Sequence, residues 1–175
     1  MKIKKAISAA FMMLTVLTLS YCNNDYITYT DPITNLVWTR CSLTADGKVD
    51  TTYECSASSG KFLWEDALDI CENLNYDNNK YEWRLPNIRE LHSILAVYRS
   101  TYPLIDENIF PGVDISPGSP ISSVYWSSTT YNARSIDADP ADKDNYALTV
   151  DFVYGTVYPT NKIENINFVR CVAGP

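Results

Sequence analysis

The chain has 175 residues, 46% of them hydrophobic and 20% charged, with 14 basic against 21 acidic side chains and a single histidine. This is enough for one domain around one core. The net charge of −7, with no basic run after Lys5, excludes nucleic acid as a partner, because phosphate binding draws its affinity from Lys and Arg.

The first residues, MKIKKAISAAFMMLTVLTLSYC, set Lys2, Lys4 and Lys5 before an apolar run from Ala6 to Leu19. The run is short for a bilayer span, and Tyr21 stands where an ordinary secretory cleavage site wants a small residue. Leu19-Ser20-Tyr21-Cys22 instead resembles a relaxed bacterial lipoprotein signal, in which the cysteine is acylated and becomes the new N-terminus. The expected organisation is a signal peptide over residues 1–21, a lipidated tether over 22–25 attached through Cys22, and a single domain over 26–175. An uncleaved anchor, or ordinary secretion with Cys22 left over, is the competing reading. Processing removes three basic residues and no acidic ones, leaving 11 basic against 21 acidic side chains and a net charge of −10. An acidic protein, exported and held to the membrane by lipid, is expected, at the outer membrane or cell surface.

YITYTDPITNLVWTRC reads as two strands, Tyr26 to Thr30 and Leu36 to Cys41, around an Asp-Pro-x-x-Asn turn. The polar stretch that follows places Cys41 and Cys55 at the ends of a loop. From Trp64 the period changes. Leu63, Ala67, Ile70, Cys71 and Leu74 share one helical face, and Glu65 and Asp66 in the first turn suit the helix dipole. Four cysteines beyond Cys22 in an exported chain read as two disulfides, and three pairings of Cys41, Cys55, Cys71 and Cys171 are open. One histidine and no Cys-x-x-Cys argue against zinc.

In YEWRLPNIREL, Pro86 keeps Leu85 out of helical conformation, and Asn87 with Glu90 three residues later predicts a capped second helix. Its stripe is Ile88, Leu91, Leu95 and Tyr98. The loop TYPLIDENIFPGVDISPGSP carries apolar plugs at Ile105, Ile109 and Phe110. Strands then follow in SVYWSSTTY, in NYALTVDFVYGTVYPT around Tyr154-Gly155, and in NFVRCV. A hairpin, two helices, a loop and at least four strands make an α+β pattern, with no room for parallel crossovers at the C-terminal end.

TNLVWTRC, WEDALDICENL, EWRLPNIREL, IFPG, VYWSST, VDFVYGTV and FVRCV, in that order, resemble the C-terminal domain of bacterial collagen-like adhesins, the Lcl C-terminal domain family. The resemblance covers nearly all of the chain after residue 30. It implies an exported domain with a C-type-lectin-like fold akin to that of formylglycine-generating enzymes, two helices packed on a mostly antiparallel twisted sheet and stapled by disulfides. The adhesin that gives the family its name binds sulfated host glycans. Here no Gly-x-y segment is present, the acidic balance opposes a sulfated polymer, and Leu63 replaces the family's usual Ser or Thr cap before the first helix. The expected bridges are Cys41 with Cys55 and Cys71 with Cys171.

Chemistry-bearing residues are few. Each tryptophan, Trp38, Trp64, Trp83 and Trp126, falls within an element pattern and reads as core. His92 reads as a partly buried structural residue, the cysteines leave no thiol for a nucleophile, and no carboxylate spacing singles out an acid–base pair. Arg84 reads first as a scaffold residue bonding carbonyls or an acidic side chain, and second as a ligand contact. Tyr125, Tyr131, Tyr154 and Tyr158 are contact candidates at one end of the sheet, since exposed tyrosine stacks on sugars and anchors interfaces. Asp137, Asp139, Asp142, Asp144 and Asn145 offer oxygen ligands for Ca²⁺, although Lys143 lies among them and a solvated surface is the plainer reading. No other cofactor is expected. The sequence thus points to a non-enzymatic binding module, an adhesin-like protein for a glycan or an extracellular protein. An envelope structural or accessory protein is the alternative, and an exported enzyme comes third. Oligomeric state is not legible in it.

Overall fold

The computed structural model describes residues 27–57, 59–76, 80–113, 123–132 and 144–174. Strands β1 (Thr28–Thr30) and β2 (Val37–Thr39) form the expected hairpin. Asp31 shapes its turn, accepting from the Ile33 N–H at 2.9 Å and the Thr34 hydroxyl at 2.6 Å, and Asn35 takes the left-handed conformation, φ 57°, that asparagine tolerates. Two more strands, β4 (Trp83–Arg84) and β9 (Val172–Ala173), complete an antiparallel four-stranded sheet in the order β1-β2-β9-β4. The last described strand therefore lies inside a sheet begun by the first described one.

A second sheet runs β3-β8-β5-β6-β7, from β3 (Lys61–Phe62), β8 (Asn167–Phe168), β5 (Val124–Tyr131), β6 (Tyr146–Asp151) and β7 (Thr156–Asn161). All its pairings are antiparallel except the parallel contact of β5 with β8 at Tyr125 and Phe168. Two sheets stand where one was expected, and NFVRCV is two strands rather than one. The reason is a change of hydrogen-bond partner. Val169 accepts from the Leu43 N–H and Cys171 from the Thr39 N–H, while between them the buried Arg170 turns inward and donates from Nη1 to the carbonyls of Thr39 and Arg40. The chain crosses from one sheet to the other at that arginine.

Helix α1 (Trp64–Glu72) begins at Leu63 with no side-chain cap, as its sequence implied, and buries Ala67 and Cys71. Helix α2 (Ile88–Ser93) has the full reciprocal cap: the Asn87 side chain accepts from the Arg89 and Glu90 N–H groups, and Glu90 accepts from the Asn87 N–H at 2.8 Å. It is shorter than its apolar stripe. Leu95 bridges to Ile105 and the Ala96 N–H donates to Leu104, so backbone pairing draws the chain out of the helix and leaves Tyr98 80% exposed. His92 is exposed, not partly buried, because the buried side of this short helix is used by Leu91.

Both sheets carry a core on each face. In the four-stranded sheet Val37, Ala173 and Trp83 are register partners in one core, and Trp38 and Val172, one step along, belong to the other. In the five-stranded sheet Trp126 and Ala147 join the first core, Tyr125 and Val150 the second. Helix α1 packs into the first and α2 into the second. Trp38, Trp83 and Trp126 are buried, while Trp64 is half-buried under the Lys162 ammonium, 3.8 Å from its ring centroid. The expected disulfides are both present: Cys41–Cys55 closes a loop with a separation of 14, and Cys71–Cys171 ties α1 to the sheet crossover with a separation of 100.

Candidate functional site

The site builds outward from Lys80–Asn87. Trp83 and Leu85 are 4% and 2% exposed, so the strand must turn Arg84 the other way, toward solvent. There its guanidinium meets both oxygens of Glu90 at 2.7 Å, a fork matching a carboxylate. Burial raises the Glu90 pKa, but the Arg84 bonds and the Asn87 N–H outweigh it and hold the carboxyl below its ordinary range. The Arg84 pKa is raised by the same pairing. Two bonds dock this corner onto β5: the Ser128 N–H donates to Pro86, and the Ile88 N–H donates to the Thr129 hydroxyl. The scaffold role of Arg84 is thus explicit.

The same segment forms one wall of an open furrow of about 1320 Å³, whose other wall is the end of α1 with Glu72, Asn73 and Asn75. A smaller hollow of about 510 Å³ shares Asn73, Leu74 and Asn75 and continues past Tyr76 to Asp46 and Lys48, which pair at 2.6 Å. Aromatic surface comes from Tyr81, edge-on to Trp83 with centroids 5.5 Å apart, and the Lys80 ammonium lies 4.7 Å from the Tyr81 centroid. The indole N–H of Trp83 is buried and has no hydrogen-bond acceptor. Exposed amides of Asn73, Asn75 and Asn87 border the space. Such a surface can stack on a flat apolar face and exchange hydrogen bonds with hydroxyl or amide groups. The disulfide-bonded cysteines supply no thiol, and His92 does not line either hollow.

Of the contact candidates, only Arg84 lies here. Tyr125 is corrected: it is 1% exposed, its hydroxyl pairs with that of Ser42 at 2.6 Å, and its ring packs on Phe152 and Phe168, because β5 begins between the two cores. The other three tyrosines do not share one end of the sheet. Tyr131 pairs with Tyr146 at the start of β6, whereas Tyr154 follows the end of β6 and meets Tyr102 at 5.6 Å. Tyr158 sits midway along β7 opposite Thr149, half-buried, its pKa pushed up to about 12 by burial and then by Asp151. Cys22, Asp137, Asp139 and Asp142 lie outside the described residues. Asp144 is exposed and Asn145 accepts from the Lys162 N–H through its backbone; among the described residues no carboxylate, histidine or cysteine cluster could hold a metal.

Sequence reasoning passed over Tyr81, Asn73 and Asn75. The signal available was the amide-rich run after Glu72, immediately before the Arg-Leu-Pro corner. The family model of the Lcl C-terminal domain matches residues 27–173. No curated protein matches the chain.

Proposed function

The chain belongs to the Lcl C-terminal domain family, and from that premise we propose that it is a non-enzymatic binding module, exported and held at the bacterial envelope by a lipid on Cys22, which contacts a glycan or an extracellular protein. The furrow beside α1 is the contact surface. The observation that carries this reading is the composition of that furrow: aromatic rings and carboxamides on a rigid corner, open to solvent, with no nucleophile and base brought together. Rigidity comes from the Arg84–Glu90 fork, the capped α2 and the Cys71–Cys171 bridge, which fix both walls before any ligand arrives. The test is an array of glycans and matrix proteins probed with the purified chain and with Tyr81→Ala. We expect at least one ligand whose affinity falls about tenfold in the variant, a loss of roughly 1.4 kcal/mol. A chain with an unchanged melting temperature that binds nothing on either array would instead be a structural component of the envelope.

A further inference from the structure

We infer that the furrow takes an uncharged oligosaccharide, a chain of neutral hexoses or N-acetylhexosamines, and rejects sulfated or carboxylated polymers; this rests on the binding-module reading above. The first argument is charge. Each cation at the furrow and its continuation is already engaged: Arg84 by both oxygens of Glu90, Lys48 by Asp46, and Lys80 over the Tyr81 ring. Glu72 and Glu82 stand on the same walls. A sulfate group would have to pull a guanidinium or ammonium from a partner that holds it and would meet two carboxylates lining the same space.

The second argument is hydrogen-bond inventory. A carboxamide both donates and accepts, as a sugar hydroxyl does; Asn75 is exposed on one wall, and on the other the Asn87 amide presents its Nδ2 while its Oδ1 caps α2. The partly exposed Tyr81 ring on this wall offers a face for the C–H side of a pyranose.

A protein partner fits less well. Protein interfaces centre on desolvated apolar anchors, and among the described residues the exposed large apolar side chains, Ile33, Val97, Tyr98, Tyr102 and Tyr154 included, lie outside the furrow.

The experiment is calorimetry of the full chain in detergent against neutral chito-, cello-, malto- and galacto-oligosaccharides, a heparin oligosaccharide and a matrix protein. At least one neutral sugar should bind, with affinity changing less than about twofold between roughly 50 and 500 mM salt. Tyr81→Ala, which removes the stacking face, should weaken it about tenfold, as should Asn75→Ala at an exposed position. Heparin should give no heat. Heparin or the matrix protein binding in a manner sensitive to Asn75→Ala would overturn the ligand class and leave the furrow as the site. Neutral-sugar binding indifferent to both substitutions would overturn the furrow. No binding to any probe would overturn the binding-module reading as well.

Discussion

Glu90 is the side chain on which the corner depends. It accepts two bonds from Arg84 and one from the Asn87 N–H, and its carboxyl titrates below its ordinary value of 4.5 in the folded chain. A depressed folded-state pKa contributes stability that is fully present above the unfolded value and is lost as pH falls through the folded one. Glu90→Gln should therefore cost about 1 kcal/mol at neutral pH, the Arg84 side chain being 44% exposed and partly screened. Below pH 4.5 the difference from the parent should shrink, which denaturant titrations at several pH values would read. A gap constant down to the acid limit would remove Glu90 from this role. This corner was legible in sequence because its partners are three to six residues apart. Tyr125 was not. Alternation along β5 shows that one face is buried, but nothing in the strand shows that a second core covers the other.

Among the elements, α1 begins at Leu63, which is 37% exposed and supplies no cap. Leu63→Asp should satisfy one of the first N–H groups and favour the dipole, adding about 0.5 to 1 kcal/mol. Thermal melts would show this as a rise of about 2 to 4 °C per kcal/mol in a chain of this size. A fall would mean that the contacts Leu63 retains outweigh the missing cap. Helix starts were read well because caps are local. The end of α2 and the split of the last strand were not, since the Leu95–Ile105 bridge and the pivot at Arg170 depend on partners 10 and 130 residues away. The furrow joins α1 to β4 and belongs to neither pattern alone.

At the scale of the whole molecule, the two disulfides act on very different lengths of chain. On the chain-entropy account, opening Cys71–Cys171 should cost about 4 to 5 kcal/mol and opening Cys41–Cys55 about 3. Cys71→Ala with Cys171→Ala, set beside the equivalent pair of changes at Cys41 and Cys55 in urea denaturation, should give that order; the reverse would show that strain or residual structure dominates. The anchor is tested separately. Cys22→Ser should move the full chain from the detergent phase to the aqueous phase, because acyl chains are what would hold it there. An unmodified Cys22 in intact-mass data would dismiss the lipid.

The position of β9 between β2 and β4 bears on how the molecule is made. Of the described strands β9 is synthesised last, so β2 and β4 have no common neighbour until Val172 and Ala173 arrive. The sheet of β1, β2 and β4 therefore closes late, whereas β5, β6 and β7 can pair as soon as they are made. A copy that stops before Cys171 lacks an inner strand of one sheet and half of the long bridge, and should be cleaved by protease faster than the full chain.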